Sequence, residues 1–296
     1  MTLDAGSISS PAVTSPPEQG PAPGCFTRGV VVVKLGGAAG IEFDAFAADV
    51  ADLVRSGVRL VIVHGGSDQT TRLAERLGHP PVFLTSPSGH TSRRTDRETL
   101  GIFQMACRGI VNQRLVEHLR RLGVNAVGLS GIDGGLWIGR RKDCLRAVEA
   151  GVTRIIRDDY SGTVEHVDTR VLEALMAGGF VPVVSPPALS TDGDPINTDA
   201  DRAAGATAGA LGASALLLLS NVPGVLERYP EESSLIRVAS RGEFDRLGRV
   251  AQGRMKNKVL AASSAVIAGV RRAVIGDARL DQPVSRALRG EGTVLE

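Results

Sequence analysis

Short aliphatic runs with no polar interruption recur along this chain: Val30-Val31-Val32-Val33, Leu60-Val61-Ile62-Val63 and Leu216-Leu217-Leu218-Leu219. A strand with one wet face alternates apolar and polar residues, whereas an unbroken run is buried on both faces, as in a parallel sheet covered by helices. Helical stretches lie between the runs. Phe43 to Ser56 carries Phe43, Phe46, Ala47, Val50, Leu53 and Val54 at helical spacing. Thr70 to Leu77 reads as a helix stopped by Gly78, and Asp96 to Leu122 as one long helix ended by Gly123. Further strands are expected at Val124 to Leu129, Val181 to Val184 and Arg272 to Ile275. Further helices are expected at Leu172 to Ala177, Asp199 to Leu211 and Lys256 to Ala268. The alternation implies an α/β fold, a three-layer αβα sandwich with a mainly parallel central sheet. Leu136 to Val148 and Val152 to Val167 break the rhythm, and their alternating pattern predicts hairpins.

At 296 residues the chain can form one large domain or two lobes. Pro186-Pro187 is the expected boundary, with residues 28–186 as one lobe and 187–296 as the other. Residues 1–27, rich in Pro, Ser, Gly and Ala, read as a disordered tail. The tail has neither the basic start nor the apolar core of a secretory signal, so a cytoplasmic protein is expected. No apolar run approaches the ~18 residues that a membrane helix needs. A net charge of +2 and 3% aromatic residues supply neither the basic field nor the stacking surface of a nucleic-acid protein. Cys25, Cys107 and Cys144 are too scattered for a disulfide framework, and no metal-ligand spacing is evident around His90, His118 or His166.

Two glycine turns stand directly after strands: Lys34-Leu35-Gly36-Gly37 and His64-Gly65-Gly66-Ser67. Ligands of such sheets bind beyond the carboxyl ends of the strands, where bare backbone N–H groups can approach an oxyanion. Glycine is equally the default turn residue, so neither pair alone specifies a site. There is no G-x-x-x-x-G-K-[ST] and no G-x-G-x-x-G. Two polar clusters complete the set. Asn197-Thr198-Asp199-Ala200-Asp201 precedes an Ala-rich helix; capping explains one carboxylate, and alternation would point Asn197, Asp199 and Asp201 the same way. Gly253-Arg254-Met255-Lys256-Asn257-Lys258 opens another helix with two lysines, either a solvated turn or an anion site.

Taken in order, these segments resemble the amino acid kinase family. They are joined by Arg93 before Thr95-Asp96 and by Leu219-Ser220-Asn221-Val222-Pro223-Gly224-Val225-Leu226. From Val30 to Glu296 the chain is similar to the acetylglutamate kinase branch. Four details resemble the members that phosphorylate α-aminoadipate, or glutamate, attached to LysW, a small acidic amino-group carrier protein. They are Ser67 after Gly66, the loop Thr91 to Arg97, Asp199 in place of Asn, and the basic hairpin Gly139-Arg140-Arg141-Lys142.

The resemblance implies transfer of the ATP γ-phosphoryl group to a side-chain carboxylate, giving an acyl phosphate for lysine or for arginine- or ornithine-type synthesis. It puts Lys34 and Lys258 on the phosphoryl oxygens, with Asp201 holding both. It puts Gly36, Gly37, Ser220, Asn221, Gly224 and Leu226 on the ATP side. Gly65, Gly66, Arg93 and Asn197 fall on the acceptor side, and Arg140, Arg141 and Lys142 on the carrier. It also implies Mg²⁺ held mainly by ATP and a homodimer formed through the first lobe. A kinase of free N-acetylglutamate and a non-catalytic sensor of the same fold are the alternatives.

Overall fold

Val30–Leu35 is buried at every position because it lies in the middle of an eight-stranded sheet, between Arg59–His64 and Ala215–Ser220. Across the sheet the order is Val238–Ala239, Thr293–Leu295, Ala273–Asp277, Ala215–Ser220, Val30–Leu35, Arg59–His64, Val181–Ser185 and Ala126–Ser130. Only the Thr293–Leu295 and Ala273–Asp277 pair runs antiparallel. The computed structural model describes residues 29–37, 41, 43–87, 89, 91–149 and 152–296. The expected tail, with Cys25, and also His90 lie outside the described residues.

The period of two along the central strands feeds two cores. Val30, Val32, Val61, Val63, Leu216 and Leu218 face one way, onto Ala203, Ala204, Val259 and Ala262 of the helices Ala200–Ala210 and Met255–Ile267. Val31, Val33, Leu35, Leu60, Ile62, Leu217 and Leu219 face the other way. They meet Phe46 and Val50 of Phe43–Arg55 and Leu115 and Leu119 of Gln113–Arg121. This is the three-layer α/β sandwich expected from the unbroken runs. The sheet takes strands from both sides of Pro186-Pro187, so both halves of the chain build one central layer.

The expected hairpins form, and they do two things. Trp137–Arg141 pairs antiparallel with Ser161–Val167, and together with Ala188–Ser190 and Pro195–Thr198 these strands close a small four-stranded barrel. Leu145–Glu149 and Val152–Ile156 form a separate ribbon.

The long helix differs from its expectation. Asp96 caps it, accepting from Thr99 N at 2.9 Å, but the α-helices Arg97–Gln104 and Gln113–Arg121 are joined by π-helical turns over Met105–Asn112. The wider turns bring Asn112 into the core, where its fully buried amide donates to Val183 O and meets His64 Nε2, each at 2.9 Å.

A staple joins distant parts of the chain. The buried Asp49 carboxylate accepts from Val284 N at 2.7 Å, from Ser285 N at 2.9 Å and from the Ser285 hydroxyl, fixing the start of the Pro283–Leu288 helix. Asp49→Ala strands buried donors, a loss of about 2–3 kcal/mol. The expected thermal midpoint falls by about 5–10 °C, with turnover preserved below it; an unchanged midpoint in a thermal melt would refute the staple.

Candidate active site

The glycine turns follow neighbouring parallel strands, so they emerge side by side. Gly36 N donates to Leu219 O at 2.9 Å and Gly65 N to Leu35 O at 3.3 Å. A Cβ on Gly37 would lie 2.6 Å from Gly66 N and 2.7 Å from Gly65 C. The two turns therefore pack backbone against backbone, which only glycine permits there. Gly66 also caps the Ser67–Arg76 helix, and Asp68 N donates to Gly37 O at 3.1 Å.

Lys34 has the parity of Val30 and Val32, so it rises from the strand toward the face covered by the Ala200 and Met255 helices. Those helices approach closely: a Cβ on Gly205 would lie 2.9 Å from Ala261 O. The approach brings Asp201 and Lys258, both in first turns, to the same point. Asp201 Oδ1 lies 2.8 Å from Lys34 Nζ, and Lys258 Nζ donates to both Asp201 oxygens at 3.0 Å. Lys34, Asp201 and Lys258 are 5%, 7% and 7% exposed.

Burial by itself would raise the Asp201 carboxyl, but the two ammonium groups outweigh it and bring it down to about 2. Burial, with the neighbouring Lys34 charge, brings Lys258 down to about 8 against the opposing pull of Asp201. The cluster carries one anion and two cations, so an unneutralised positive charge is held at the cleft.

Asn197 and Asp199 do not continue one extended row through to Asp201, because the helix begins at Ala200. Asp199 is its N-cap: Oδ1 accepts from Arg202 N at 3.0 Å, and Oδ2 accepts from Asn257 Nδ2 at 2.9 Å. This carboxylate struts together the two helices that carry Asp201 and Lys258. Asn197 Nδ2 donates to Thr95 Oγ1 at 2.9 Å.

Of the three arginines in the loop, only Arg93 lines the cleft. Its Nη2 donates to Ser67 O at 3.2 Å and Thr71 Oγ1 at 2.7 Å, and its guanidinium lies 5.1 Å from the Phe83 ring centroid. Buried Nη1 has no partner among the described residues. Burial, and then the charge of Arg254, lower its pKa. Arg94 turns away to Asp158 at 2.5 Å, and Arg97 lies over Tyr160.

His64 holds its turn rather than reaching the cleft. Nδ1 donates to Gly65 O and Nε2 accepts from Asn112, each at 2.9 Å; burial pulls its pKa down to about 4, so the ring is neutral.

The glycine turns, the Lys34–Asp201–Lys258 cluster and Arg93 line one cleft of about 730 Å³. Lys34, Gly36, Gly37, Gly65, Gly66, Arg93, Asn197, Asp201, Ser220, Asn221, Gly224, Leu226 and Lys258 all border it. So do Thr198, Tyr229, Arg254 and Asn257, which sequence reasoning did not single out as site residues. Arg254 and Asn257 were visible as part of the helix-opening segment but had no distinguishing signal. Arg140, Arg141 and Lys142 are not brought into the cleft; they border a separate open depression of about 340 Å³. Arg140 and Lys142 are exposed, whereas Arg141 is folded onto Tyr160.

Among the described residues no group of three or more His, Cys, Asp or Glu could hold a metal, and no helix is long and apolar enough to cross a membrane. The cleft carboxylates are committed, Asp201 to two ammonium groups and Asp199 to its cap and Asn257.

Comparison with known proteins finds the amino acid kinase family over residues 29–277. A [LysW]-aminoadipate kinase of Deinococcus radiodurans is 55% identical over 90% of this chain and 91% of its own. One of Thermus thermophilus is 53% identical over 90% of this chain and all of its own. A [LysW]-aminoadipate/[LysW]-glutamate kinase of Saccharolobus solfataricus is 36% identical over 90% and 99%. Among solved structures, N-acetylglutamate synthase from Neisseria gonorrhoeae superposes with a TM-score of 0.74 at 25% identity, covering 91% of this chain and 60% of that one. Carbamate kinase from Giardia lamblia bound to AMP-PNP superposes at 0.65 with 14% identity, over 90% and 98%, a likeness of fold.

Proposed function

The chain belongs to the amino acid kinase family, and from that we propose that it transfers the γ-phosphoryl group of ATP to the side-chain carboxylate of α-aminoadipate, or glutamate, borne on a LysW-type carrier protein. The observation that carries the reading is the Lys34–Asp201–Lys258 cluster beside the paired glycine turns. The similarity, at 53–55% identity, to proteins named [LysW]-aminoadipate kinase supports the acceptor.

The reaction forms a bond from a carboxylate oxygen to phosphorus and breaks the bond from phosphorus to the β–γ bridging oxygen, leaving ADP and an acyl phosphate. An acceptor carboxylate with a pKa near ~4.3 is already ionised at neutral pH, so no general base is required. Catalysis then consists of alignment and charge stabilisation. Lys34 and Lys258 meet the transferring phosphoryl oxygens, and Asp201 fixes both ammonium groups. Gly36 and Gly37 offer backbone N–H groups to the phosphates, with Ser220, Asn221, Gly224 and Leu226 on the nucleotide side. Gly65, Gly66, Arg93 and Asn197 hold the acceptor, whose free carboxylate suits the unpartnered Arg93 Nη1. Mg²⁺ suits the nucleotide phosphates rather than this chain's committed carboxylates, and it neutralises phosphate charge when bound there. Residues 28–186 thus serve chiefly the acceptor and 187–296 chiefly the nucleotide.

Exposed Arg140 and Lys142 suit an acidic carrier, whose approach such a patch would steer. The proposed assembly, which the family resemblance implies, is a homodimer through the first half of the chain, checked by light scattering. A cytoplasmic location fits the proposed carrier.

The experiment is ATP turnover, with the acyl phosphate trapped by hydroxylamine, on four acceptors: free N-acetylglutamate, free N-acetyl-aminoadipate, carrier-linked glutamate and carrier-linked aminoadipate. Turnover confined to the carrier-linked pair, faster with aminoadipate, is expected. Efficient turnover of free N-acetylglutamate would replace this reading with an arginine-type kinase of the small molecule.

The lowered pKa of Lys258 gives the reaction a basic limb. Only protonated Lys258 stabilises phosphoryl charge, and in the free enzyme it loses its proton as pH rises through about 8. The kcat/KM for ATP is expected to fall above that pH, approaching about tenfold per unit. Bound phosphates favour the ammonium, so the limb in kcat lies at higher pH. A kcat/KM profile flat to pH 10 would contradict the role of Lys258.

A further inference from the structure

Residues 158–161 connect the basic hairpin to the acceptor side of the cleft. The Asp159 carboxylate, 1% exposed, accepts at both oxygens. Oδ2 takes Thr95 N at 2.8 Å; Oδ1 takes Ser161 N at 2.8 Å and the Ser161 hydroxyl. Tyr160 N donates to Thr95 O at 2.7 Å, and Asn197 N donates to Tyr160 O at 2.8 Å. Thr95 Oγ1 then accepts from Asn197 Nδ2 at 2.9 Å. The backbone and the amide of Asn197, a cleft residue, are therefore both set by this segment.

On its outer side the segment is gripped by Arg141. Arg141 Nε donates to Asp159 O at 2.9 Å and Nη2 to Arg157 O at 3.1 Å, while the guanidinium lies 3.8 Å from the centroid of the Tyr160 ring. A planar fork that donates at two points while stacked is work for arginine and not for lysine. Its neighbours differ: among the described residues Arg140 has only a long 3.7 Å pairing with exposed Asp143, and Lys142 is exposed.

We infer that Asp159 and Arg141 are positioning residues for the acceptor, clamping segment 158–161 from inside and outside so that Thr95 presents Asn197 to the cleft. Arg141, read from the sequence as a carrier contact, works within the protein, and the carrier meets Arg140 and Lys142. The inference rests on the proposed function for the identity of the acceptor.

The test compares Asp159→Asn, Arg141→Ala, Arg141→Lys and the double variant Arg140→Ala/Lys142→Ala with wild type. Acceptor KM, ATP KM and kcat are measured on carrier-linked aminoadipate at low and high salt. An amide cannot accept at both ends, so Asp159→Asn loses one side of the clamp. Asp159→Asn and both Arg141 variants are expected to raise acceptor KM about tenfold at either salt, with ATP KM within about twofold. The double variant's ratio to wild type is expected to shrink toward one at high salt, because surface charge attraction is screened.

A salt-sensitive ratio for Arg141→Ala, a wild-type KM for Arg141→Lys, or a wild-type acceptor KM for Asp159→Asn would each overturn the inference. If Asp159→Asn does not fold, the two Arg141 variants carry the test. If wild type turns over only free N-acetylglutamate, the proposed function fails. The Asp159 and Arg141 ratios, read on that acceptor, then still decide the inference.

Discussion

Lys258→Met is expected to lower kcat about 10²–10³-fold, the loss that follows removal of one preorganised charge from a transition state. KM for ATP and for the acceptor is expected to stay within about threefold, because the missing interaction strengthens as the phosphoryl group transfers. The substitution suits the question because it should leave the fold standing. Methionine fills most of the volume of the lysine stem, and Asp201 keeps Lys34 at 2.8 Å, so no carboxylate is left buried and bare. The thermal midpoint should move by no more than a few degrees. Asp201→Ala is the contrasting variant: it leaves two buried ammonium groups without the carboxylate they share and is expected to lose about 3–5 kcal/mol of stability as well as turnover. Wild-type kcat in Lys258→Met, measured by hydroxylamine trapping, would mean the cluster is a structural ion pair and not the centre of the reaction.

The central sheet was legible because Val30–Val33 and its partners are buried on both faces, and unbroken aliphatic runs report that directly. The π-helical turns at Met105–Asn112 were not, because apolar spacing shows that a helix continues but not how its hydrogen bonds shift. The wider turns seat the amide of Asn112 against His64 and Val183, partners far away in sequence. The two carboxylates before the Ala-rich helix carried the same ambiguity. Asp199 and Asp201 both stand where a cap could be, and only the dihedral change at Ala200 gives the cap to Asp199 and the lysines to Asp201. Arg141 shows the limit of a charge run. Its neighbours are also basic, and nothing local reveals that Tyr160, on the strap beyond the next hairpin, takes its guanidinium.

The glycine turns can be tested one carbon at a time. Gly37→Ala puts a Cβ 2.6 Å from Gly66 N and 2.7 Å from Gly65 C, and those atoms cannot retreat freely. Gly65 N is tied to Leu35 O, and Gly66 O accepts from both Thr70 N at 2.8 Å and Thr70 Oγ1 at 2.7 Å. Cys107 stands behind Gly66, where a Cβ would lie 2.6 Å from its Sγ. The turns must then spread, and the donors proposed for the phosphates and for the acceptor shift relative to each other. A misplacement on the order of 1 Å costs about 10²-fold in turnover, so kcat/KM for Gly37→Ala is expected to fall by at least that. The overpacking costs about 1–3 kcal/mol, and the protein still folds. Gly65→Ala is the comparison, since its Cβ would meet Gly37 N at 3.5 Å and Gly37 Cα at 3.7 Å, ordinary contacts within the turns. Its kcat should stay within about fivefold of wild type, as a tolerated small addition does, and any larger loss should fall on acceptor KM, because Gly65 borders the proposed acceptor. Equal losses in the two variants would show that bulk anywhere in the turns is what matters. A wild-type Gly37→Ala would show that the close pairing of the turns has no part in aligning the donor and acceptor.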